Sequence, residues 1–242
     1  MPLFIKGNQI SSNDITSTGA FRSKINRDGL LIYLDAQSKD SYSGSGTSWV
    51  DLSGNGNNFT LFNSPTYTSS ATNSYFTFNG SSSQMAYCNN LVPSDYVTVE
   101  LAFKKIGDLG TEDIIFNKEN CWEMKTDANT LQWAVYSAGN TWFWYSVTSI
   151  SLNTNYFVSL TYDGNCVRTY VNGVLTQTYT GYTGVLANQN SAYPKINARN
   201  TAQTEVGGPG YIDVYNFKVY NRALNSYEIM ENYQSIKTRL GL

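Results

Sequence analysis

An all-β chain, folded as an antiparallel sandwich or barrel, is what this sequence predicts, on three observations. Its 242 residues carry nineteen Tyr, eleven Phe and five Trp among many Asn, Ser, Thr and Gly, the mixture of strand and turn formers that sheets joined by polar loops require. Its apolar segments are short, each bounded by Gly, Asn, Asp, Ser or Pro, which is the spacing of stacked antiparallel strands. Asp163-Gly164 and Asn172-Gly173 fall between such segments, and Asn-Gly supplies the two positive φ angles of a tight hairpin. With 41% hydrophobic and 14% charged residues, the chain has the apolar material for a large core and is expected to form one domain.

Residues 1–28 are polar and turn-rich after Leu3–Ile5; they read as an arm that packs on something else, or as a first edge strand. Strand signals then follow in order: LLIYLDA (30–36), NFTLF (58–62), YFTFNG (75–80), VTVELAFKK (97–105), DIIFN (113–117), CWEMK (121–125), LQWAVYS (131–137) and TWFWYSV (141–147). In the fourth, Val97, Val99, Leu101 and Phe103 share one face, predicted as core, and Thr98, Glu100, Ala102 and Lys104 the other, predicted to meet solvent. Residues 156–181 read as a three-stranded meander. In YIDVYNFKVYN (211–221), Ile212 and Val214 fall out of phase with Phe217 and Val219, which predicts a bulge near Asn216. Helical periodicity occurs once: Asn225 with Glu228 makes a capping-box start, and Ile229, Tyr233, Ile236 and Leu240 form one stripe. One amphipathic helix over 223–242 is expected to pack across a sheet end or edge, or on a partner.

Several chemistries are excluded by what is missing. The chain has no His, so Ser-His-Asp and Cys-His catalysis and imidazole-held metal do not apply. Cys88, Cys121 and Cys166 are odd in number and lack paired spacing, which predicts free thiols. A net charge of −2 with scattered Lys and Arg offers no surface for nucleic acid. No basic n-region precedes an apolar stretch and no segment approaches the roughly 20 apolar residues that span a bilayer, so no membrane partner is expected and synthesis is assigned to a cytoplasm.

GLLIYLDA, WVDLSGNGNN (49–58), YFTFNG, VSLTYDG, YVNGVL, VGG (206–208) and IDVYNFKVYNRALNSYEI (212–229), in this order, resemble the laminin G-like branch of the concanavalin A-like lectin/glucanase superfamily over residues 29–236. The resemblance implies a jelly-roll sandwich of two antiparallel sheets with the first and last strands as neighbours, formed by residues 29–222. The flanks NDITSTGAF and ENYQSIKTRLGL are similar to those of such domains in tailed-bacteriophage virion proteins of the capsid decoration and fibre type. That second resemblance implies a non-enzymatic structural protein at a virion surface, made in the host cytoplasm and assembled as a homo-oligomer. Other virion proteins would then be its partners through the arm and the C-terminal helix. A carbohydrate-binding adhesin is the alternative, and a glycoside hydrolase the remote third.

Two sets of site residues follow. In the family, the loop matching 51–58 and the strand matching 212–219 can hold a structural Ca²⁺, which carries over to Asp51, Ser53, Asn55, Asn57 and Asp213; the further acidic residue usual after the last of these is Val214 here. Hard oxygens around a Gly-rich loop suit calcium, but consecutive turns would use the same residues. For a glycan, Trp142, Trp144, Tyr136 and Tyr145 with Asn140 offer an aromatic platform beside an amide, although Trp142 and Trp144 suit the inter-sheet core equally. Residues 180–204 form a long irregular segment, either a binding loop or a linker. Glycoside hydrolysis on this fold needs paired carboxylates on one strand face. No such run is present: Glu112 and Asp113 are adjacent, and Glu228 and Glu231 fall in the helix.

Overall fold

The computed structural model describes residues 25–80, 83–109, 112–139, 142–187, 190–200, 202–204 and 207–242. In chain order the strands are β1 (Leu30–Asp35), β2 (Ser48–Trp49), β3 (Phe59–Phe62), β4 (Thr66–Thr68), β5 (Tyr75–Asn79), β6 (Met85–Cys88), β7 (Val97–Gly107) and β8 (Glu112–Lys118). They continue as β9 (Trp122–Asp127), β10 (Thr130–Val135), β11 (Tyr145–Ser149), β12 (Asn155–Tyr162), β13 (Cys166–Val171), β14 (Val174–Thr180), β15 (Lys195–Ile196) and β16 (Tyr211–Tyr220). Two helices close the chain, α1 (Ser226–Gln234) and α2 (Lys237–Leu240).

The strands make two eight-stranded antiparallel sheets. The first runs β14-β13-β12-β7-β16-β5-β4 with β1 also on β16, and the second runs β11-β10-β9-β8-β15-β6-β3-β2. First and last strands are neighbours as expected, with Leu30 opposite Tyr220 and Asp35 opposite Asn216. The bulge predicted near Asn216 is present: the register of β16 on β7 shifts between Val214 and Asn216. That extra residue lets Ile212 and Val214 share the core with Phe217 and Val219.

The core lies between the sheets, where Trp49, Phe59, Phe76, Phe103, Trp133 and Phe217 are fully buried; each large apolar side chain removed from water contributes about 1.5–3 kcal/mol. The predicted meander is β12-β13-β14. Asp163 Oδ1 accepts N–H bonds from Asn165 and Cys166 in its first turn, and Asn172 (φ 51°) with Gly173 (φ 76°) makes the second. A Cβ at Gly173 would also meet Tyr233 at 2.8 Å. The three cysteines are free and buried, and among the described residues no helix is long and apolar enough to cross a membrane.

Three expectations are corrected. The second face of β7 is not solvated: Thr98, Glu100 and Ala102 are fully buried, because the C-terminal helices pack over this sheet face rather than its end or edge. Ile229 meets Tyr170, Tyr220 and Leu224, while Ile236 and Leu240 meet Ala102, Phe157 and Tyr215. The expected single helix is two, parted at Ser235 and Ile236, although the Asn225–Glu228 capping box forms as read. The expected strand 141–147 begins only at Tyr145, opposite Trp133, so Trp142 and Trp144 precede it. Of the expected arm, residues 1–24 lie outside the described residues. Its end is docked on α1, where the Asn26 N–H donates to Asn232 Oδ1 (2.8 Å) and its side-chain amide to Glu228 (2.8 Å).

Candidate functional site

Period-two alternation on β9 and β10 sends Trp122, Met124, Leu131, Trp133 and Val135 into the core, and so turns Glu123, Lys125 and Tyr136 to the outer face of the second sheet. Asn117 on β8 lies opposite Glu123 and donates its side-chain N–H to that carboxylate. Arg199, from the segment after β15, bridges Glu112 at 2.7 Å and Glu123 at 2.8 Å. Lys125 donates to the other oxygen of Glu112. Asn200 N–H reaches Glu119 at 3.1 Å and continues the network.

The two carboxylates that share Arg199 respond in opposite directions. Burial, with Glu119 adding to it, pushes Glu123 up to about 8 against Arg199, Asn117 and Lys125. Partial burial also opposes ionisation of Glu112, but Lys125 and Arg199 outweigh it and hold that carboxyl below its ordinary value. Exposure accounts for the difference: the Glu123 side chain is 1% exposed, that of Glu112 43%.

Aromatic rings sit against this charged patch. Lys125 Nζ lies 3.9 Å from the centre of the Trp144 ring, and the Arg199 guanidinium 5.9 Å from it, close enough for cation–π attraction. Trp142 meets Trp144 edge-on at 5.9 Å and Tyr136 at 6.3 Å. All three rings are half-buried, and Phe143 between the tryptophans is 54% exposed. The structure therefore brings Trp142, Trp144 and Tyr136 together on an outer surface. Tyr145 parts from them to stack on core Trp133 at 4.8 Å, and Asn140 lies outside the described residues. Glu123, Lys125, Asn117 and Arg199 join the site without having been expected there.

Of the residues expected around calcium, Asp51, Ser53, Asn55 and Asn57 come together but Asp213 does not join them, and the carboxylate oxygens of Asp51 are taken up by donors. Asp51 Oδ1 accepts the backbone N–H groups of Tyr33 (2.8 Å) and Ser53 (2.9 Å), and Oδ2 accepts the Ser53 hydroxyl (2.6 Å) and the Asn57 N–H (3.0 Å). Asn55 and Asn57 donate their side-chain amides to the carbonyls of Leu30 and Leu31, each at 2.9 Å. Asp213 is elsewhere on β16, opposite Thr77, taking that hydroxyl at 2.6 Å and Lys104 Nζ at 2.9 Å. Asp51, by contrast, binds β1 at Tyr33, which pairs with Lys218. Among the described residues no group of three or more Cys, Asp and Glu side chains is arranged to hold a metal.

Two facing antiparallel sheets, closed by pairing of the first and last strands and carrying aromatic rings outside the core, define a lectin-like sandwich. The chain belongs to the Laminin_G_3 family of the concanavalin A-like lectin/glucanases superfamily, whose model matches residues 70–230. No curated protein matches the chain in sequence. Among solved structures it is similar to the binding domain of Paraclostridial Mosquitocidal Protein 1, with a TM-score of 0.65 and 15% identity over 86% of this chain and 52% of that one. It is also similar to the botulinum neurotoxin serotype D ligand-binding domain in complex with N-acetylneuraminic acid, with a TM-score of 0.64 and 16% identity over 86% and 51%. A third is Trypanosoma rangeli sialidase, at 0.59 and 16% over 87% and 33%. The chain thus spans about half the length of the toxin domains, and identities this low establish the fold alone.

Proposed function

We propose that this domain is a non-enzymatic glycan-binding module displayed on a virion surface. The observation that carries the binding role is the placement of Trp142, Trp144 and Tyr136 together, half-exposed, on the outer face of the second sheet. Indole faces cover the C–H face of a pyranose, and the neighbouring polar groups of the patch suit its hydroxyls. A neighbouring fold that holds N-acetylneuraminic acid supports the reading. The absence of a hydrolytic role rests on the carboxylates: each oxygen of Glu112 and of Glu123 is engaged by Arg199, Lys125 or Asn117, and the buried Glu123 cannot reach a glycosidic oxygen.

A glycan array with the full chain tests this directly. Binding to at least one saccharide is expected, weakened about tenfold by Trp142→Ala or Trp144→Ala, the effect of losing about 1.4 kcal/mol of contact. An array empty for the unaltered protein refutes the glycan role.

The virion location, and assembly there as a homo-oligomer, draw on the resemblance of the chain's two ends to virion proteins. Because α1 and α2 are folded onto the first sheet, attachment is assigned to residues 1–24. Mass spectrometry of purified particles from an expressing host is expected to detect the chain, and to lose it when residues 1–24 are deleted. A deletion variant still bound to particles would remove the arm from that role.

A further inference from the structure

We propose a second ligand site, for a neutral saccharide of one or two rings, in the amide-lined cavity between the β2–β3 loop, the segment after β6 and Tyr193. The cavity measures about 540 Å³, within the size range of small-molecule sites. Asn55, Asn57, Asn89 and Asn90 supply its polar lining, and Tyr193 and Val92 are among the apolar and aromatic groups beside them. Among the described residues no charged side chain lines it, which disfavours phosphates and carboxylated sugars. Amides offer a donor and an acceptor on one planar group, the arrangement that engages neighbouring hydroxyls.

Asn55, Asn89 and Asn90 are each held by one end of the amide and leave the other unpaired, while Asn57 is engaged at both ends. Asn55 Nδ2 is tied to Leu30 O, and Asn90 Nδ2 to Asn57 Oδ1 at 2.9 Å; Asn89 Oδ1 accepts the Thr60 hydroxyl at 3.0 Å. Asn55 Oδ1, Asn90 Oδ1, Asn89 Nδ2 and the Tyr193 hydroxyl are left without an intramolecular partner among the described residues. Two acceptors, one amide donor and a phenol are thus already oriented, so a ligand would not have to order them. The wall is equally fixed. Val92 is β-branched yet sits at φ 50°, a conformation such residues rarely adopt, and the buried Lys118 holds its carbonyl at 2.9 Å.

This cavity lies toward the β2–β3–β6 end of the second sheet, whereas the tryptophan patch lies toward β9–β11. Neither assignment depends on the other. The test is a titration of the ¹⁵N-labelled full chain with glucose, galactose, mannose, N-acetylglucosamine, maltose and lactose, with N-acetylneuraminic acid and inorganic phosphate as anionic arms, followed through the Asn side-chain NH₂ resonances. Saturable shifts at Asn55, Asn89 and Asn90 are expected with at least one neutral sugar and with neither anion. Tyr193→Ala and Asn90→Ala should each weaken the response about tenfold; the Tyr193 hydroxyl has no hydrogen-bond partner among the described residues, so its variant reports on the site with little disturbance of the loop. Shifts at Asn89 that persist in Trp142→Ala assign them to the cavity. No shift at these amides with any neutral sugar, equal shifts with the anions, or a response indifferent to Tyr193→Ala would each overturn the proposal.

Discussion

Replacing Lys218 with Met is expected to destabilise the domain by about 3–5 kcal/mol, the cost of stranding a buried charge without its partner, and so to lower Tm by about 6–20 °C at this chain length. Lys218 and Glu100 are both fully buried on the outer face of the first sheet, 3.5 Å apart under α1. Around them Asn232 donates to Glu100 at 2.9 Å, Ser159 reaches it at 3.5 Å, the Tyr33 and Phe157 rings lie 5.7 and 5.2 Å from Lys218 Nζ, and the Asp35 and Arg239 charges act more weakly on Lys218. Burial pushes the Glu100 carboxyl up and the Lys218 ammonium down, and each is pulled back chiefly by the other. With Met at 218, Glu100 keeps the upward push and loses its main restraint. The native state then retains a proton that the unfolded chain releases, so the variant loses further stability as pH rises above the ordinary carboxylate range. Glu100→Gln added to Lys218→Met should recover most of the loss, since the remaining groups are neutral and Asn232 keeps an acceptor. Urea denaturation of the two variants at pH 5 and pH 8 measures both effects. A double variant no more stable than the single one would show that packing, not charge, is what the substitution disturbs.

That pair also shows where sequence reading stops. Alternation along β7 is local, so the core face of Val97, Val99, Leu101 and Phe103 is legible in the chain. The fate of Glu100 is not, because its cover arrives from Asn232, 132 residues later. TWFWYSV shows the same limit. Its composition and period suit a strand, but pairing with β10 starts only where Tyr145 meets Trp133, and of the tryptophans before it Trp144 lies against Lys125 and Trp142 against Trp144 and Tyr136. Glu123 and Lys125 were legible as the polar alternates of Trp122 and Met124, yet nothing local marks Arg199, 76 residues from Glu123, as the cation that joins them. Bulge, hairpins and capping box were legible because each is built from residues within a few positions of one another.

Asp51 carries the second large effect, and its substitution decides between the two readings of residues 51–58. A carboxylate among Gly, Asn and Ser suits either a cation or a set of N–H groups. What separates them is backbone direction, which composition does not encode. In the fold three backbone N–H groups and one hydroxyl point at the two oxygens, and one of those donors, Tyr33, belongs to β1, so the side chain fastens the loop to the strand that closes the sandwich. Asp51→Ala leaves those donors without an acceptor at a position 7% exposed and should cost about 3 kcal/mol or more, since hydrogen bonds to a charged group contribute about 1.5–3 kcal/mol each and water replaces only part of them. Asp51→Asn should fall between, because its NH₂ group would face donors in place of accepting from them. Melting curves in EDTA and in added Ca²⁺ should coincide, since a ligand that binds only the native state must raise the midpoint and this carboxylate is saturated with donors. A midpoint raised by calcium in the unaltered protein but not in Asp51→Ala would instead make the loop a cation site, and would require the Tyr33 and Asn57 N–H groups to turn away from the carboxylate to admit it.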